Sequence, residues 1–271
     1  MILAASNIAW TSDEDELAVD VLRKAGITAI EVAPARIYSD PASATRNDSE
    51  VIRAAWQAHE LPIVSMQALL YGKPELTIFG DTTDRRAFIE YIAKIVSLAG
   101  ALGAGPLVFG SPKNRLKGGM SFNQARETAI PLFREVGDLC AKAGTCFCIE
   151  ANAEEYGCDF MTTINEVADI VVAVDHPNVS IVADTGNMLM AGDTPDDLES
   201  VIESVSHIHF SAPQLAPITS EENFIRSVAK KLPQCGYDGV VTLEMRSVDD
   251  NLASLAESSA LLARIVQSQT K

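Results

Sequence analysis

Four residues carry the chemistry this sequence can do: Glu150, Asp184, His209 and Glu244. Each closes a short apolar run. In TCFCIEAN (145–152), Phe147 and Ile149 alternate with Cys146, Cys148 and Glu150, the period of two that a strand imposes. Asp184 ends the apolar run of VSIVADTG (179–186). In SHIHFS (206–211), His207 and His209 share one face and Ile208 and Phe210 the other. In GVVTLEM (239–245), Thr242 and Glu244 oppose Val241 and Leu243. A carboxylate on an inward-facing row is costly unless it is paired or bound to a metal. Taken singly, each of the four is a salt-bridged or capping residue. Taken together, on consecutive strands at one depth, they point to a divalent cation. Three carboxylates and one imidazole suit Mn²⁺, Mg²⁺ or Co²⁺, since zinc usually recruits more nitrogen or sulfur.

The elements that must position these residues alternate strand and helix eight times. Strands are expected at 2–9, 27–33, 63–70 and 106–109, then at the four runs above. Helix starts are marked by Thr11 with Glu14, Ser121 with Gln124, Thr163 with Glu166, and Thr194 before Pro195. Further helices are expected over 49–60, 83–102, 221–231 and 248–267. Pro131 falls inside the helix that Ser121 opens, so a kink or break is expected there. Strand and helix in alternation imply a parallel sheet with right-handed crossovers. Eight units in 271 residues favour one α/β domain, a single (β/α)8 TIM barrel spanning 1–271. No GxGxxG follows the first strand, which counts against a dinucleotide fold.

In such a barrel the C-terminal strand ends face the catalytic mouth. Other polar residues expected there are Glu31, Gln67 and Asn187, plus Lys113 and Arg115 in the loop after the fourth strand and Arg246 two past Glu244. Glu31 and Gln67 could bind a hydroxyl. The cations could hold a carboxylate or phosphate. His207 lies one layer deeper than His209, suited to a supporting hydrogen bond. The net charge of −16 argues against a nucleic-acid or anionic-membrane partner. No apolar run is long enough to span a bilayer. Five cysteines without a CxxC pair, and no basic region before the first apolar stretch, suit a cytoplasmic protein with reduced thiols.

The segments GITAIEVAP (26–34), FGSPKNR (109–115), CIEANAEEYGCDF (148–160), VADTGNM (182–188), HIHFS (207–211) and GYDGVVTLEM (236–245) make the chain resemble the xylose isomerase-like TIM barrels. These include sugar phosphate isomerases and epimerases, inosose dehydratase and endonuclease IV. The resemblance covers nearly the whole chain. It implies a metal held by Glu150, Asp184, His209 and Glu244, with Mn²⁺ the leading ion. It also implies that Glu150 and Glu244 flank a small sugar or polyol and move a proton on carbon through an enediolate. The alternatives it leaves are an inosose-type dehydratase and a metal-binding barrel without turnover. Many members are dimers or tetramers, so a homo-oligomer is compatible with the resemblance. The chain departs from the pattern at three places. Asn187 stands where members often carry His. Leu215 replaces the Arg of 3-epimerases. Tyr156 replaces a carboxylate, with Glu154 and Glu155 beside it. The resemblance therefore stops short of a ketohexose 3-epimerase. The extra histidines of endonuclease IV have no counterpart at Gln67 or Gly110–Ser111.

Overall fold

The computed structural model describes residues 1–269. Its strands are β1 (Ile2–Ser6), β2 (Ala29–Val32), β3 (Ile63–Met66), β4 (Pro106–Phe109), β5 (Cys146–Glu150), β6 (Val179–Asp184), β7 (Val205–Phe210) and β8 (Val240–Leu243). All pair in parallel in sequence order. β1 also pairs with β8, through Ile2–Val240 to Ala5–Leu243, so the sheet closes into a barrel. The helices around it are α1 (Asp15–Ala25), α2 (Arg46–Ala58), α3 (Thr82–Leu102), α4 (Phe122–Ala143), α5 (Ile164–Val174), α6 (Thr185–Ala191), α7 (Pro195–Val201), α8 (Glu222–Gln234) and α9 (Asn251–Gln267). No helix is long and apolar enough to cross a membrane.

Strand alternation sorts the residues into two layers. Outward residues meet the helices. Phe109 of β4 and Phe147 of β5 stack at 5.0 Å, and both touch Phe133 of α4. Inward residues split by sector. Val108, Cys148 and Val182 form a small apolar cluster low in the barrel. On the other side the interior is polar: Ser6, Glu31, Ser65, His207 and Thr242 are all fully buried. The bottom of that side is therefore held by hydrogen bonds rather than by hydrocarbon.

Several boundaries differ from the sequence expectation. β1 stops at Ser6, because the chain turns into a 3-10 segment at Asn7–Ala9. β3 stops at Met66; two residues on, Ala68 takes a left-handed φ of 53°, which no strand accommodates. α2 begins at Arg46 because Thr45 and Asp48 form a capping box. Pro131 does not break α4, which runs unbroken from Phe122 to Ala143. Ala129, Leu132, Phe133 and Val136 are buried on either side of it, and that packing outweighs the roughly 3 kcal/mol cost of the proline. α6, absent from the sequence expectation, starts directly after β6 with Asp184 as its N-cap.

Phe109 sits among Phe88, Phe133 and Phe147, fully buried. Phe109→Ala is expected to cost about 3–5 kcal/mol of stability, read as a lowered midpoint in urea unfolding. A loss under about 1 kcal/mol would mean that this aromatic layer does not support the β4–β5 wall.

Candidate metal centre and active site

His209 is the hub. It is fully buried on β7, and its Nε2–H points down to Glu31, 3.0 Å from Oε1 and 3.2 Å from Oε2. That bond leaves Nδ1 with its lone pair toward the mouth. Around Nδ1 stand Glu150 Oε1 at 3.2 Å, Glu244 Oε2 at 3.2 Å and Asp184 Oδ2 at 3.9 Å. One ligand atom from each of the four residues lies within 4.8 Å of the others. Neither Glu150 Oε1 nor His209 Nδ1 has a hydrogen-bond partner in protein. Nitrogen lone pair and carboxylate oxygens thus converge on one point with no donor between them. This donor set fits a divalent cation.

Each carboxylate is aimed by local structure. Asp184 caps α6: its Oδ1 accepts from the Asn187 backbone N–H (2.7 Å) and side-chain Nδ2 (2.9 Å), and its Oδ2 accepts from Ser211 Oγ (2.5 Å). Glu150 Oε2 accepts from Asn152 Nδ2 at 3.0 Å. Glu244 lies one residue beyond β8, but its N–H still donates to Phe210 O, so strand alternation carries its side chain inward. Two glycines make room. A Cβ on Gly110 would meet Glu150 Oε2 at 2.5 Å, and one on Gly186 would meet Ser211 Oγ at 2.6 Å.

Below the hub, Glu31 accepts from four donors, His207 Nε2 (2.8 Å), His209 Nε2, Ser65 Oγ (2.8 Å) and Gln67 Nε2 (3.1 Å), and Thr242 Oγ1 lies 3.3 Å from His207 Nε2. Burial favours the neutral acid, but the two histidines and these hydrogen bonds more than offset it and hold Glu31 well below the usual carboxylate range. The opposite happens above. Burial, then repulsion from Glu150 and Glu244, pushes Asp184 up to about 7. Burial raises Glu244 as well. Burial would depress His209, yet the charges of Glu31 and Glu244 raise it well above its ordinary value.

The mouth opens into a cavity of about 600 Å³, walled by the loops after β3, β4, β5 and β7, with Glu150 and Glu244 at its base. Gln67, Lys113 and Asn187 line it; so do Asn152, Tyr156, Leu215 and Lys73. Asn187 is committed to support, since its Oδ1 also accepts from the Ala153 N–H at 3.1 Å. Tyr156 accepts from the Gln214 N–H at 2.9 Å. Burial, then the nearby Asp184 charge, pushes its phenol up to about 12.

Three residues expected at the mouth, Glu31, Arg115 and Arg246, lie elsewhere, and His207, one layer below His209, bonds Glu31 rather than lining the cavity. Glu31 and His207 are wholly buried beneath the hub. Arg115 follows the 3-10 turn Pro112–Asn114, which carries its side chain inward: it is fully buried, Nε donates to Cys158 Sγ at 3.4 Å, and the guanidinium lies 5.7 Å from the Phe109 ring centre. Arg246 is exposed and outside the cavity wall, because its N–H leaves the ladder to donate to Leu215 O. Sequence reasoning passed over Asn152, Ser211 and Lys73. The first two were accessible, as each is two residues past an inward-facing strand residue. Lys73 lies in a loop without periodicity, where nothing in the sequence marks it.

Residues 19–265 match the family described as xylose isomerase-like TIM barrel. The chain belongs to that family. No curated protein matches it significantly by sequence. Among solved structures it is similar to a D-psicose 3-epimerase from Clostridium cellulolyticum H10 with D-tagatose (TM-score 0.80, 15% identity, 100% of both chains). It is also similar to an L-ribulose 3-epimerase (0.83, 14%, 100% of this chain and 96% of that one) and to IolI protein with a binding zinc atom (0.76, 14%, 99% of both). At these identities the likeness is one of fold.

Two outcomes test the centre. Cation and proton compete for Asp184, so apparent Mn²⁺ affinity is highest above pH 7 and falls about tenfold per unit as pH drops below it. Calorimetric titrations at pH 6, 7 and 8 in buffers of different ionisation heat should show this, with proton release. A flat profile would exclude Asp184 as a ligand that loses a proton. Glu31→Gln should weaken Mn²⁺ binding by about 10–100-fold through loss of the bond that fixes His209; unchanged affinity would show that His209 needs no such anchor.

Proposed function

We propose that the chain is a divalent-metal-dependent sugar isomerase or epimerase. The observation that carries this reading is the placement of Glu150 and Glu244: both reach the point of convergence and both line the cavity base. Glu150, Asp184, His209 and Glu244 would hold the ion. Mn²⁺ is the leading choice from the oxygen-rich donor set, with Mg²⁺, Co²⁺ or Zn²⁺ as alternatives. Such an ion supplies Lewis-acid polarisation of a carbonyl oxygen and offsets the negative charge left by proton removal.

The chain's own residues do the rest. Glu150 and Glu244 reach the hub from different strands, β5 and just past β8, each 3.2 Å from His209 Nδ1. One carboxylate removes the proton next to the substrate carbonyl and the other returns it. Exchange across two faces inverts a centre; return on the neighbouring carbon interconverts aldose and ketose. Asn152 holds Glu150 through Oε2, leaving Oε1 free of other bonds. Gln67 and Tyr156 offer polar groups to substrate hydroxyls. Asn187 braces Asp184 and moves no proton. The sugar-epimerase neighbours support this assignment at the level of reaction class.

Mn²⁺-loaded protein in D₂O should place deuterium on carbon in at least one member of a ketose panel, read by NMR and mass spectrometry. Glu150→Gln and Glu244→Gln should each lower the rate by at least about 10². No exchange with any ketose, or a product that has lost water, would overturn the assignment.

A further inference from the structure

Resting on the sugar reading above, we propose that the outer half of the cavity receives an aryl group carried by the substrate, so that the substrate is a keto sugar joined to an aromatic ring. The cavity lining is sorted by depth. Polar groups free to meet a ligand stand at the base. Gln67 gives its amide protons to Ser6 Oγ at 2.6 Å and Glu31 Oε1 at 3.1 Å, inside the barrel, which leaves its amide oxygen. Asn152 Oδ1 is buried beside Glu150 and accepts no hydrogen bond. Ser111 follows Gly110, whose Cβ position would lie 2.5 Å from Glu150 Oε2. Tyr156 lies close enough to Asp184, Glu244 and Glu150 for their charges to act on it, and its hydroxyl proton is left over after it accepts from the Gln214 N–H. Two acceptors and two hydroxyls beside the carboxylates suit the hydroxyls of one sugar ring.

Further out the wall is apolar: Leu70, Tyr71 and Pro74 from the loop after β3, Pro112 from the loop after β4 and Leu215 from the loop after β7. The polar side chains of this rim are engaged elsewhere. Asn114, 4% exposed, donates Nδ2 to Lys73 O and Leu76 O, each at 2.7 Å. The Lys73 ammonium rests 5.8 Å from the ring centre of Tyr91, which is not a wall residue, and Lys113 is exposed. A sugar hydroxyl placed here would give up water for no partner, which is costly. An aryl group gains by the same move. In the closed ring β3 and β7 lie four strands apart, so their loops bring Tyr71 and Leu215 to opposite sides of the mouth. Tyr71 is 75% exposed, and an aromatic face so open beside a cavity offers a stacking surface. Gln214 and Leu215 are consecutive non-glycine residues at left-handed φ values of 58° and 57°, strain that the surrounding structure must hold. Three bonds hold it: the Gln214 N–H to Tyr156 Oη at 2.9 Å, the Leu215 N–H to Ala212 O at 2.9 Å and the Arg246 N–H to Leu215 O at 2.8 Å. The cavity, of about 600 Å³, falls in the range that encloses drug-sized ligands and exceeds what one hexose ring fills.

The test uses the Mn²⁺-loaded full chain and calorimetric binding of methyl and phenyl 3-keto-β-D-glucopyranoside, which differ only in the group on the anomeric oxygen. The phenyl compound is expected to bind at least about tenfold more tightly, with a more negative heat-capacity change. Tyr71→Ser, at an exposed position, should narrow the gap, Tyr71→Ser/Leu215→Ser should abolish it, and Tyr71→Phe should keep it. Equal affinity for the two compounds overturns the proposal while leaving the sugar reading intact. A gap that survives unchanged in both serine variants overturns the assignment to this wall. Binding of neither compound also overturns the proposal, and the deuterium exchange with free ketoses described above then decides the sugar reading separately.

Discussion

Mutual repulsion among Glu150, Asp184 and Glu244 is the constraint around which the upper barrel is arranged. Each pair of charges about 4 Å apart repels by roughly 4 kcal/mol at an effective dielectric near 20. Three such pairs rival the entire 5–15 kcal/mol by which a domain of ordinary stability stays folded. At that cost a fully charged cluster calls for compensating positive charge, which a cation or bound protons can supply. Burial first, then the neighbouring carboxylates, raises the pKa of Asp184 and Glu244, and the same carboxylates raise that of His209 against its burial.

Glu31 solves the complementary problem. A fourth carboxylate near the cluster would add to the repulsion if it faced the mouth. Placed one layer down, it faces two imidazoles, a hydroxyl and an amide, and turns His209 so that only Nδ1 is presented upward. A single buried anion thereby sets the tautomer of the hub. The strands supply the rigidity this needs: β2, β3, β7 and β8 each contribute a partner, and their backbone groups are bonded around a closed ring. The loops supply the cavity wall beyond the carboxylates.

What was legible in the sequence follows from period. Strand alternation is strict, so Glu150, Asp184, His209 and Glu244 could be placed on one face before any coordinates were known, and the closed eight-stranded barrel followed from eight repeats. The same rule located Glu31 and His207 inside, but depth along a strand depends on the stagger between neighbours, which one sequence does not display. Hence Glu31, expected to bind a hydroxyl at the mouth, lies under the hub beside His207. Periodicity ends where strands end. Arg115 and Arg246 were extrapolated past that limit, and a 3-10 turn in one case and a backbone bond to Leu215 in the other redirected them. Lys73 was invisible for the same reason. The helix α6 was hidden because Asp184 serves two roles, and its capping bond to Asn187 is indistinguishable in sequence from a strand end followed by a loop.

The pairing of β1 with β8 has a bearing on how the chain comes into being. Ribosomal synthesis delivers β1 before the other seven strands and β8 after them, so until β8 emerges the nascent sheet carries two unpaired edges. Those edges offer open backbone groups to other chains until the last strand docks. Glu244 arrives with that strand. Completion of the ring and completion of the carboxylate set are thus one event, and a ribosome-bound fragment that ends before β8 has neither a sealed sheet nor all three carboxylates.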